Sequence, residues 1–69
     1  MYRNLEAEMA RNGLLKKDIA ETLQVRQATV YDKLSGKSSF TLDEALKIRD
    51  TYFVGLTIEY LFNKYEDVV

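Results

Sequence analysis

Between Lys16 and Ser35 the chain has room for two short helices and very little between them. Ile19, Ala20 and Leu23 form an i, i+1, i+4 apolar stripe, and Ala28, Val30 and Leu34, with Gly36 behind them, mark a second helix over Gln27 to Ser35. Only Gln24, Val25 and Arg26 separate the two, so the helices are forced to cross steeply. A small side chain at Ala20 lets the later helix approach the earlier one, while Ile19, Leu23, Val25 and Val30 fill the angle between them. The outer side of the later helix is then held away from the core.

The flanking sequence supplies the rest of a helical domain. Leu5, Met9 and Ala10 give residues 2–12 an apolar face, and Gly13 is placed to end that helix in the left-handed conformation. Thr41-Leu42-Asp43-Glu44 fits a capping box, with Phe40 and Ala45 as a hydrophobic staple. Leu42, Ala45, Leu46, Ile48 and Tyr52 carry that helix's apolar face onward. Thr57 is placed to cap a last short helix bearing Ile58, Leu61 and Phe62, and residues 64–69 are expected to fray or extend it. No alternating strand pattern occurs. The expected architecture is a single all-α domain over 1–69, with five short helices.

Composition removes several chemistries. With no cysteine and no histidine in 69 residues, disulfides, thiolate zinc sites and Cys/His catalysis are out of reach. The scattered carboxylates and the lack of a glycine-rich phosphate loop suggest no enzyme site, and no cofactor, metal or small-molecule ligand is expected. No apolar stretch approaches a membrane span. The net charge of −1 hides an asymmetry: from Arg11 to Lys37 six cations (Arg11, Lys16, Lys17, Arg26, Lys33, Lys37) face three anions, a balance of +3, whereas Ser38 onward carries −3. Such a division can steer one face toward phosphate.

Taken together, the helix ending at Gly13, the block Asp18-Ile19-Ala20-Glu21, Val25, Thr29-Val30, the Leu34-Ser35-Gly36-Lys37 turn, Thr41-Leu42-Asp43-Glu44-Ala45 and the closing Thr57-Ile58-Glu59-Tyr60-Leu61-Phe62 resemble the lambda-repressor-like helix-turn-helix family, also called the XRE or Cro/C1 type. The resemblance spans nearly the whole chain and places the helix-turn-helix at 16–35. Several positions depart from the family pattern. Leu15 stands where a Ser, Thr or Asp would cap the second helix, a loss of about 1 kcal/mol. Gln24 replaces a glycine at a turn that favours a left-handed backbone, at a cost of about 1 kcal/mol. Arg26 occupies the cap of the third helix, and Lys33 stands where an apolar residue is usual, with Leu34 expected to supply that packing.

The resemblance implies that the chain reads the major groove of double-stranded DNA with its third helix. Gln27, Ala28, Tyr31 and Asp32 would face base edges. Gln27 suits adenine, Ala28 a thymine methyl, Tyr31 sugar or base edges, and Asp32 cytosine N4. Each has a plain alternative: a solvated glutamine, a helix-forming alanine, a half-buried tyrosine, a solvated aspartate. Arg11, Lys16, Lys17, Arg26, Thr29, Lys37 and Ser38 are the candidates for phosphate contact. The aromatic and aliphatic residues near 53–65 are expected to be mostly core, in part a homodimer contact matching a palindromic operator. The implied function is a small cytoplasmic transcriptional regulator resembling a phage or prophage repressor or Cro protein. The alternative is an interaction protein of the same fold, such as an antitoxin or a partner of a phage protein.

Overall fold

The computed structural model describes residues 2–63. Five helices follow one another: α1 (Arg3–Arg11), α2 (Lys16–Leu23), α3 (Gln27–Ser35), α4 (Leu42–Tyr52) and α5 (Ile58–Leu61). No strand occurs among the described residues, and no helix there is long and apolar enough to cross a membrane. Residues 64–69, expected to fray or extend the last helix, lie outside the described residues.

Three successive helices end in the same way. Gly13 (φ 65°), Gln24 (φ 58°) and Gly36 (φ 93°) all take the left-handed conformation just past α1, α2 and α3. After each, an amide reaches back over the last turn: Leu14 N–H to Met9 O at 2.8 Å, Val25 N–H to Ala20 O at 3.0 Å and Lys37 N–H to Asp32 O at 2.9 Å. These are Schellman closures, which satisfy carbonyls that a helix end otherwise leaves open. Gln24 takes the conformation expected of it, and its Cβ makes this the one strained member of the three.

The helix starts differ. Thr41 caps α4 as its sequence predicts: Thr41 Oγ1 accepts the Glu44 N–H at 3.2 Å and Glu44 Oε1 accepts the Thr41 N–H at 2.9 Å. Thr57 Oγ1 accepts the Tyr60 N–H at 3.1 Å and so caps α5. Leu15 has no side-chain acceptor, but Asp18 Oδ2 accepts the Leu15 N–H at 2.8 Å, so half of a capping box survives at α2. Arg26 makes no side-chain cap at α3.

The core lies where α2 packs against both α3 and α4, and α5 bridges α1 and α4. Leu5, Ile19, Val30, Ile48 and Leu61 are fully buried at its centre, each worth about 1.5–3 kcal/mol for an aliphatic side chain removed from water. Ala20 is also buried, and α2 and α3 pack together. At one end Tyr2, Phe40 and Phe62 meet edge to face, with ring centroids 5.2, 5.8 and 5.4 Å apart. Phe40 therefore joins an aromatic cluster beyond its own helix. Leu42, placed by its sequence on the apolar face of α4, is 66% exposed: as the first residue of the helix it lies outside the turns that Ala45 and Ile48 pack inward.

Two polar ties hold the helices in register. Glu8 is buried, yet its Oε2 accepts the Tyr60 hydroxyl at 2.8 Å and the Arg11 guanidinium at 2.6 Å, while Asn4 Nδ2 donates to Tyr60 O at 2.8 Å. The Tyr52 hydroxyl lies 2.6 Å from Thr22 Oγ1 and 3.2 Å from Asp18 O, linking the end of α4 to α2.

Candidate nucleic-acid interface

Helix α3 has a distinct inner and outer side. Val30 and Leu34, four residues apart, are buried. Gln27, Ala28 and Tyr31 are exposed and Asp32 is half-buried: Ala28 and Asp32 lie opposite the buried pair, Tyr31 on its flank, and Gln27, three residues before Val30, is open because it is the first residue of the helix. The spacing explains the grouping: Gln27 and Tyr31 are i, i+4 neighbours, Ala28 and Tyr31 i, i+3, and Ala28 and Asp32 i, i+4. These residues thus share one surface, and Tyr31, at 59% exposure, projects from it instead of packing into the core.

Around this surface the structure sorts the cations. Lys16 and Lys17, in the first turn of α2, are exposed, as are Arg26 at the start of α3 and Lys37 and Ser38 beyond its end. Thr29 is half-buried on the flank of α3. The Lys16 ammonium lies 6.0 Å from the centre of the Tyr31 ring, within reach of a cation–π attraction. Lys37 and Ser38 are fixed by their own amides, which donate to Asp32 O at 2.9 and 3.2 Å.

Two cations of the basic stretch are paired with carboxylates of the chain, Lys33 largely buried and Arg11 on the surface. Arg11 pairs with Glu8, and Lys33 pairs with Glu44 at 2.8 Å while also donating to Ser39 O at 3.1 Å and lying 5.8 Å from the centre of the Phe40 ring. Lys33 therefore takes the place of an apolar residue with its side chain laid against the loop before α4 and its charge neutralised there. Lys16, Lys17, Arg26 and Lys37 are the exposed cations of the stretch outside these two pairs.

The Lys33 and Glu8 ties are absent from a reading based on apolar periodicity alone. A signal for Glu8 existed: it falls on the same helical face as Leu5 and Met9, three and one residues away, where an unpaired carboxylate would be costly. Compared with known proteins, the chain matches no family model, no curated protein and no solved structure.

Proposed function

We propose that this chain is a sequence-specific regulator that binds double-stranded DNA, with α2 and α3 as a helix-turn-helix of the lambda-repressor-like kind and α3 lying in the major groove. One observation carries the reading: Gln27, Ala28 and Tyr31 stand exposed on α3, whose Val30 and Leu34 are buried, together with the exposed cations Lys16, Lys17, Arg26 and Lys37. In this reading Gln27, Ala28, Tyr31 and Asp32 face base edges, and the four cations with Thr29 and Ser38 engage phosphates.

A single module of this size covers few base pairs, so a palindromic operator and a homodimer complete the proposal. Phe53 and Leu61 are buried within one protomer, and the apolar surface for pairing near 53–65 is offered by Val54, at 77% exposure, and exposed Tyr60, with half-buried Leu56, Ile58 and Phe62 beside them. Tyr65 of that stretch lies outside the described residues. Control by protein concentration, through dimerisation and operator occupancy, is the simplest regulation for such a protein.

Selection of bound duplexes from a random library, followed by titration at two salt concentrations, tests the reading. An enriched, symmetric site and affinity that falls as salt rises are the expected outcome. Affinity that ignores salt, or never exceeds that for random duplex, overturns it.

A further inference from the structure

Lys16 and Tyr31 lie on different helices, and both side chains are exposed, yet the ammonium of one sits over the ring of the other. Together with Glu6, Leu34 and Ser35 they line a shallow groove between α1, the start of α2 and α3. At 59% exposure Tyr31 has little packing to fix its ring. A cation over the ring face supplies a preferred direction, because the ammonium is drawn to the negative face of the ring. That attraction leaves the ammonium N–H groups free to donate to a phosphate as well.

We propose that Lys16 is a positioning residue for Tyr31: it holds the phenol on the side of α3 nearest the start of α2, and so ties a phosphate contact to a base contact. The proposal rests on the DNA-binding reading above. It assigns Lys16 a part in sequence discrimination, where an ordinary phosphate contact contributes only affinity that is blind to sequence. Once a phosphate fixes Lys16, the ring over which it sits is fixed too, and the hydroxyl of Tyr31 is presented to the groove in one orientation.

Two measurements on the intact chain test this. Without DNA, the side-chain methylene protons of Lys16 show an upfield ring-current shift in the NMR spectrum that disappears in Tyr31→Ala and persists in Tyr31→Phe. With DNA, affinities are compared for a duplex enriched from a random library and a scrambled duplex of the same length. Lys16→Ala lowers the ratio of the two affinities by about two- to five-fold, the equivalent of one exposed cation–π contact, and reduces the salt slope by about 0.9. Lys16→Arg retains the ratio. In a Tyr31→Ala background, Lys16→Ala weakens both duplexes alike.

Because both side chains are exposed, these variants leave the core intact, which far-UV circular dichroism checks. An unchanged affinity ratio in Lys16→Ala, or the absence of the ring-current shift, overturns the positioning role while leaving the DNA reading standing. Failure to enrich any duplex overturns the DNA reading and the role of Lys16 with it.

Discussion

The Lys33 ammonium lies 2.8 Å from Glu44 Oε1, and that same oxygen accepts the Thr41 N–H at 2.9 Å. One carboxylate oxygen thus closes the capping box of α4 and fastens α3 to it. The orientation of α3, on which every candidate base contact depends, is coupled to the start of a helix that lies outside the candidate interface.

That coupling makes stability sensitive to acid. Burial pushes the Glu44 carboxyl up, but hydrogen bonds from Lys33 and Thr41 and the Lys33 charge outweigh it and hold the group below its usual 4.5. A carboxyl lowered in the folded state contributes stability that is complete above the unfolded value and is lost as pH falls through the folded one. Glu44→Gln is therefore expected to cost about 1 kcal/mol at neutral pH, with the variant and the parent converging well below pH 4.5. Urea unfolding at both pH values is the check, and a constant difference between them contradicts the assignment.

Gln24→Gly is expected to stabilise the chain. The left-handed backbone at φ 58° strains a residue with a Cβ and suits glycine. After the entropy that glycine adds to the unfolded chain, up to about 0.5 kcal/mol remains, or a rise of a few degrees in Tm. Gly13→Ala runs the other way. An added Cβ there meets nothing within 4 Å, so its cost of about 1 kcal/mol comes from the backbone alone. Thermal melts of the two variants should move in opposite directions.

The Tyr60 hydroxyl donates to buried Glu8, and this hydrogen bond, with burial and the Glu8 charge, raises its pKa above the usual 10. For a group raised in the folded state, stability is fully present below the unfolded value and lost as pH climbs through the folded one. The fold should weaken above about pH 10. Tyr60→Phe should lower Tm at neutral pH and flatten this alkaline decline, read from unfolding curves alongside phenolate absorbance.

The division of the cations also has a measurable consequence. Arg26→Ala and Lys37→Ala should each reduce the salt slope of duplex binding by about 0.9. Arg11→Ala should leave the slope nearly unchanged and instead lower stability by about 0.5–1 kcal/mol, because its guanidinium is committed to Glu8 and is largely exposed. A slope reduced by Arg11→Ala as much as by Arg26→Ala would return Arg11 to the phosphate contacts.

What the sequence made legible was what local spacing controls. The apolar stripes located α2 and α3, Thr41 and Glu44 announced their capping box, and Gly13 and Gln24 marked helix ends that the structure closes as expected. What stayed hidden depended on residues far apart in the chain. Lys33 reads as a missing apolar residue until Glu44, eleven positions later, is brought beside it. Glu8 reads as a surface carboxylate until Tyr60, fifty-two positions later, arrives with its hydroxyl. Leu15 reads as a lost cap because its side chain offers no acceptor, although the Asp18 carboxylate reaches back to its amide. Exposure of Ala28 followed from the period of α3 and that of Gln27 from its place at the helix start, but which neighbouring cations are paired did not.

The meeting of Tyr2 with Phe62, and of Glu8 with Tyr60, has a consequence for how the molecule is made. Synthesis delivers the first helix long before the residues that cover it, at a pace of about 5–20 residues per second. Until Tyr60 and Phe62 emerge, the Tyr2 ring lacks one of its edge-to-face partners and Glu8 lacks its phenol. Final packing of the N-terminal helix must therefore wait until the closing segment has left the exit tunnel. A nascent chain stalled before Thr57 emerges should remain open to proteases in α1, although that helix was made before the segment that covers it.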